Sequence, residues 1–208
     1  MIIDYSFARP EMSALKGNGV TSVIRYLAHD SAKAASNEEV EELHAAGLST
    51  AFVFEDAADR ATAGKDAGEA DGLFAASSAL ALSVPRGRPV YCAVDFDIPD
   101  YAPDSTDARV KLGPVGEYLT AFGVQLAVRG YSLGACGGYW LVYRVYDASL
   151  TPWLWQTTAW SGGMIYPRVR LYQPGAQVLG DEGDIYLAGA EDWGQWRRAV
   201  VNLAGGQA

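Results

Sequence analysis

The chain has 208 residues, half of them hydrophobic, 20% charged, with a formal net charge of −9. That is enough apolar material for one substantial packed domain, and it excludes wholesale disorder. The acidic balance, without a run of five like charges, excludes a phosphate-backbone partner, so no nucleic acid is expected.

Cys92 and Cys136 make no disulfide framework or metal-ligand spacing and read as buried free thiols. No apolar run reaches the ~18–20 residues of a membrane span, so no membrane partner is expected. The opening "MIIDYSFARP" lacks the basic and apolar regions of a signal peptide. The expectation is therefore a protein made in the cytoplasm and, if it acts outside, released by other means.

In chain order, "MIID" is a short strand ending in acid, and "TSVIRYLA" is a second strand rich in β-branched and aromatic residues. "SNEEVEELHAAG" predicts a helix capped by Ser36, with Glu39 completing a capping box and Gly47 stopping it. "LSTAFVFED" is a third strand, and Lys65 to Val84 is an Ala-rich helix with acids in its first turn. "PVYCAVDFD" is the fourth strand, followed by a helix from about Ser105 to Phe122, disturbed at Gly113–Pro114. "VQLAVRGYS" predicts the fifth strand, and "CGGYWLVYRVYDA" a buried amphipathic helix. "PWLWQTTA", "RVRLYQPG" and "EGDIYLA" are strands six to eight, and "EDWGQWRRAVVNL" is a closing amphipathic helix.

Strands alternating with helices imply parallel strands joined by crossovers. The fold class is α/β, a (β/α)8 TIM-like barrel with short or missing helices between the last strands. An open doubly wound sheet is the runner-up, disfavoured because no glycine-rich phosphate loop follows the first strand. Residues 1–204 form a single domain, and 205–208 a tail or the start of a linker.

Functional residues of such barrels stand at the C-terminal strand ends. Alternation puts Tyr91, Ala93, Asp95 and Asp97 on one face of the fourth strand, with the two acids ~6.6 Å apart. Asp4, Glu55 and Asp184 end or begin other strands, and closure would bring Asp184 to Asp4. Tyr131, Trp155, Gln156 and Gln173 lie at strand ends five to seven, and Arg25 ends strand two. Crowded carboxylates push at least one pKa up, and aromatic faces with amides suit sugar rings, which is the equipment of glycoside hydrolysis.

In order, "MIIDYS", "SVIRYL", "AFVFED", "YCAVDFD", "VRGYS", "WLWQ", "LYQ" and "GDIY" resemble the strand ends of the family 25 lysozymes. More closely, they resemble related glycoside-hydrolase-like barrels of actinobacterial proteins and phage endolysins. The resemblance, from Ile2 to about Trp196, implies a barrel that cleaves peptidoglycan glycan strands by muramidase chemistry. It implies catalytic roles for Asp4, Asp95 and Asp184. Asp97 stands where the lysozymes carry a Glu general acid, so the acid is either Asp97 or Glu55. Asp is one methylene shorter, and a proton donor misplaced by ~1 Å can cost ~100-fold in rate.

The resulting expectation is a lysozyme-like glycosidase acting on bacterial peptidoglycan, with Asp97, Asp95, Glu55, Asp4 and Asp184 catalytic. Tyr131, Trp155, Gln173 and Arg25 would bind substrate. A monomer with no cofactor and no metal is expected. The alternative is a barrel that binds cell-wall glycan without cutting it.

Overall fold

The structure, a computed structural model, describes residues 1–179 and 183–198. Strand β1 (Ile2–Asp4) leads through helix α1 (Met12–Gly17) to β2 (Ser22–Leu27), α2 (Asn37–Ala45) and β3 (Ser49–Phe54). A 3₁₀ turn (Arg60–Ala63) precedes α3 (Gly64–Ala81), β4 (Pro89–Ala93), α4 (Ala108–Val128), β5 (Ser132–Gly137) and α5 (Tyr139–Asp147). The last described elements are β6 (Trp153–Thr157), β7 (Leu171–Gln173), β8 (Gln177–Val178) and β9 (Gly183–Ala188). β1 to β7 pair in sequence order, all parallel, and β9 joins β7 to β1 to close the barrel. Among the described residues no helix is long and apolar enough to cross a membrane.

The expected barrel is therefore present, with one departure from eight parallel strands. β9 runs antiparallel to both neighbours. Among the described residues no helix separates β6 from β7 or β7 from β9, so the chain returns through short connections, which reverse the strand.

Side-chain alternation sorts the barrel into layers. Val90, Cys92 and Val94 face outward into the apolar layer beneath α3 and α4, while Ile24, Ala51, Val53, Tyr91, Cys136 and Trp155 fill the interior. The interior is large on some staves and small on others. A Cβ on Gly134 would lie 2.6 Å from the Tyr91 ring, so β5 must present glycine there. That need for small residues leaves "SLGACG" without the β-branched signature of a strand.

The fifth strand is accordingly displaced from its expected place. Val124 to Val128 continue α4, whose buried Phe122 and Leu126 pack in the outer layer. The helix ends at Gly130 (φ 84), with Tyr131 N–H bonded to Leu126 O and Gly130 N–H to Ala127 O, a left-handed glycine stop. Gly113 carries the expected disturbance, with φ 51 and ψ −136 inside α4. The short α1 has no counterpart in the sequence expectation. The closing helix fails over its described part: Glu191 to Arg198 are irregular, with Trp196 bridged to Thr50, and Ala199 to Leu203 lie outside the described residues. Residues 205–208, expected as a tail, lie outside them too.

Two polar contacts fasten α2 to the barrel. Arg25, fully buried, points outward from β2 and binds Glu39 through two nitrogens, at 2.7 and 3.2 Å. It also donates to the carbonyls of Tyr5 and Lys33. Ser36 caps α2 by accepting from Glu39 N–H, as the capping pattern requires, while the Glu39 carboxylate is committed to Arg25. Arg25 is thus a structural cation and not the substrate-binding residue its place at a strand end suggested. His44, buried on α2, pairs with Thr50 Oγ1 at 2.9 Å and packs edge-on against Trp196.

Replacing Arg25 with Met leaves the buried Glu39 carboxylate with Arg9, 3.7 Å away on the exposed side, as its nearest remaining cation among the described residues. A loss of about 3–5 kcal/mol is expected in urea unfolding, the usual cost of stripping a buried charge of its partner. Adding Glu39→Leu should recover most of it. Burial, with Arg198 and Arg197 nearby, holds His44 down to about 4 from an ordinary 6.5. The unfolded chain therefore binds the extra proton first, and stability present above pH 6.5 is lost as pH falls towards 4. Unfolding titrations of His44→Gln should lack that component of the acid sensitivity.

Candidate functional site

The interior is plugged from below. Tyr91 donates its hydroxyl to Trp193 O at 2.7 Å, Trp155 meets Tyr91 edge-on at 5.7 Å, and Tyr186 meets Trp155 edge-on at 4.9 Å. Above this floor, at the C-terminal strand ends, lies a cavity of about 200 Å³. Its wall includes Tyr26, Glu55, Asp95, Cys136, Thr157 and Gln173, over Trp155 and Tyr186.

Each polar wall group follows from barrel parity. Val53 faces inward at the end of β3, so Glu55 two residues later does as well. Ala93 does the same for Asp95. Ile24 and Tyr26 share the inner face of β2, and the Tyr26 hydroxyl donates to Asp4 Oδ2 on β1. Burial, with Asp4 and Glu55 beside it, pushes the Tyr26 phenol well up, so it remains a donor. Lys33, from the segment after β2, places its ammonium 2.7 Å from Glu55 Oε1 and 4.6 Å above the Tyr26 ring. The Cys136 thiol is pushed well up by burial, and the carboxylates of Glu55, Asp95 and Asp4 add to the effect. It is therefore a neutral wall group and not a nucleophile. Trp155 Nε1 is buried without a hydrogen-bond partner among the described residues.

The structure thus brings Asp4, Glu55, Asp95, Trp155 and Gln173 together and leaves other expected residues elsewhere. Asp97 does not join Asp95. β4 ends at Ala93, only Val94 N–H continues the ladder to Cys136 O, and the backbone then leaves the sheet. Strict alternation ceases there, and Asp97 lines a separate shallow cleft with Trp140 and Trp160. Tyr131 lies at the opposite end of the barrel, before β5, buried with its hydroxyl on Val84 O. Its misplacement follows directly from the displaced fifth strand. Gln156 faces outward and braces the loop after β6, bonding Ser161 Oγ, Met164 O and Tyr166 N–H. Asp184 pairs with Asp4 in the β1–β9 register, and its side chain lies outside the described residues. Tyr26, Lys33, Cys136 and Thr157 are site residues that sequence reasoning missed. For Tyr26 and Thr157 the signal was strand parity, and for Lys33 there was none.

Solved structures of similar fold include the Mycobacterium tuberculosis Tat-secreted protein Rv2525c in complex with L-tartrate. It is 19% identical, with a TM-score of 0.79, over 94% of this chain and 98% of that one. The autolysin LytC from Streptococcus pneumoniae, in complex with a synthetic peptidoglycan ligand, is 14% identical with a TM-score of 0.60, over 89% of this chain and 45% of that one. An uncharacterized B. stearothermophilus protein is 15% identical with a TM-score of 0.61, over 89% of this chain and 94% of that one. At these identities the likeness is one of fold. No curated protein matches the chain in sequence.

The expectation of a cytoplasmic origin with release by other means is overturned here, because the mycobacterial protein of the same fold is Tat-secreted. The resemblance to lysozyme-like barrels holds at the level of a glycoside-hydrolase-like domain. Residues 13–199 match the family model, and the chain belongs to the Rv2525c-like, glycoside hydrolase-like domain family.

Proposed function

We propose that the protein is a glycoside hydrolase that cleaves the glycan strands of bacterial peptidoglycan, with Asp95 and Glu55 as its working carboxylates. The observation that carries this reading is the convergence of the two acids, from adjacent strands, on one cavity floored by aromatic rings. Glycoside hydrolysis needs two carboxyl groups flanking the scissile bond and a transition state with positive charge at the sugar. Lys33 occupies Oε1 of Glu55, which fits Glu55 for an oriented, charge-stabilising role. Among the described residues no cation or hydrogen-bond donor is bonded to the Asp95 carboxylate, so the proton-donor role falls to Asp95. Asp4, fixed by Tyr26, would orient the substrate's N-acetyl or hydroxyl groups, together with Asp184, Thr157 and Gln173. The fold shared with LytC, solved with a synthetic peptidoglycan ligand, supports peptidoglycan as the glycan.

A second reading is a barrel that holds glycan without cutting it. It is favoured by the size of the cavity, about 200 Å³, against the ~300–1,000 Å³ of ordinary ligand sites. The location of Asp97 outside the cavity favours it as well.

Muropeptide mass spectrometry after digestion of purified peptidoglycan separates the two. New reducing ends are expected with the parent protein, and a loss of at least ~100-fold with Asp95→Asn or Glu55→Gln, the scale of general-acid catalysis. Digestion by both variants at the parent rate would refute this assignment. Retained wall binding without new reducing ends would establish the second reading.

A further inference from the structure

Beside the cavity, on the same rim, three large aromatic side chains stand exposed where a packed core would bury them. Trp140 is 43% exposed, Tyr143 38% and Trp160 37%. Apolar surface gathered in this way on a soluble domain marks a binding surface. Around Trp160 the backbone is held in an unfavourable state. Its φ is 56, a left-handed conformation that bulky residues rarely adopt.

The surroundings enforce that conformation. Ser161 Oγ accepts from Tyr139 N–H at 3.0 Å and from Gln156 Nε2 at 3.0 Å, tying the loop after β6 to the start of α5. Gly138 lets the loop close, since a Cβ there would lie 3.0 Å from Trp160 Cβ. Trp140 is braced as well. The Arg144 guanidinium lies 5.6 Å from its ring centroid and is itself held by Pro99 O at 2.9 Å. Two partly exposed indoles are thus fixed beside a shallow crease shared with Asp97, too narrow to take a ligand into it, so a sugar would lie across its outer surface.

This cleft and the cavity are built from the same three chain segments. Asp95 lines the cavity and Asp97 the cleft; Gly137 lines the one and Gly138 the other; Thr157 lines the one and Trp160 the other. Those steps are one to three residues long, and two residues of extended chain span at most ~7 Å. A linear polymer leaving the cavity at this side therefore meets the indoles next. Sugar rings present flat C–H faces to aromatic rings and hydroxyls to carboxylates, and this cleft offers both kinds of group.

We infer that Trp140, Trp160 and Asp97 form an outer subsite for the glycan strand, in which the two indoles stack against sugar rings and the Asp97 carboxylate accepts from their hydroxyls. The inference rests on the glycan-directed reading above and adds to it a preference for longer strands. It gives Asp97 a binding role in place of the catalytic one its sequence position suggests.

The test is a calorimetric titration of the full chain with glycan strands freed of their stem peptides, two and eight sugars long. The parent is expected to prefer the longer strand. In Trp140→Ala and Trp160→Gly the ratio of eight-sugar to two-sugar affinity should fall about 10-fold, the scale of one lost aromatic contact. Trp160→Gly also relieves the left-handed backbone, so its unfolding temperature should hold or rise while the preference is lost. That combination is not expected of a merely structural tryptophan. Trp140→Phe, which keeps a ring, should retain most of the preference and guards against misfolding in the alanine variant.

Equal affinity of the parent for both strands, or an unchanged ratio in the variants, overturns the subsite and leaves the cavity reading standing. Failure of the parent to bind either strand removes the glycan reading and the subsite with it. A parent that is dimeric in sedimentation and becomes monomeric in Trp140→Ala would make this surface a self-association face and would also overturn the inference.

Discussion

The site depends on one steric requirement: a barrel this small must be filled from within, and its filling is aromatic. Tyr91, Trp155 and Tyr186 meet edge to edge across the interior, an arrangement that suits their ring quadrupoles. Large rings from some strands oblige others to give way, hence Gly134 against Tyr91. The plug is anchored below by the Tyr91 hydroxyl on Trp193 O. It ends below the strand tips, and the space left above it is the cavity. Depth, floor and aromatic lining thus share one cause.

The outer layers set which way the walls point. The buried Arg25–Glu39 pair ties α2 to the outer face of β2, and with Arg25 outward, parity sends Ile24 and Tyr26 inward. Tyr26 then reaches Asp4 on one side and lies beneath Lys33 on the other. A buried ion pair is a weak source of net stability. Here its consequence is the orientation of a whole strand, and through it the position of two of the site's polar groups.

Much of this was legible in the sequence, and the misses share a cause. Strands with ordinary composition, such as "SVIRYL" and "AFVF", were found because β-branched and aromatic residues mark them. β5 was missed because the residues that let it pack beside Tyr91 are small, and because "VQLAV" carries a strand-like composition while serving as the last turns of α4. Tyr131 followed that error to the wrong end of the barrel. Arg25 draws notice by its charge, while alternation from Ile24 puts Tyr26, not Arg25, on the inner face. Lys33 had no signal, since a loop lysine reaches Glu55 only once β2 and β3 are paired in register. The acids just after β3 and β4 are legible because burial is costly for a carboxylate and places it where a strand leaves the core, whereas Asp4 is buried at the end of β1 and accepts from the Tyr26 hydroxyl.

The two acids of "VDFD" part company because a strand's alternation lasts only as long as its ladder. Up to Val94 the chain is held by β5, and parity assigns Asp95 to the interior. Past that point the Val94 bond to Cys136 O has no successor on that side, and Asp95 N–H turns instead to Ala58 O at 3.3 Å. The backbone is then free to follow the loops above β5 and β6, which carry it to Trp140 and Trp160. Had the ladder run two residues further, both carboxylates would face one cavity, as a paired-acid mechanism drawn from the sequence requires. Its early end makes Glu55, on the neighbouring strand, the only carboxylate besides Asp95 among the described residues lining the cavity. The two carboxylates of the cavity are therefore set across two strands and not along one, and their spacing follows the β3–β4 register, not the rise of a single strand.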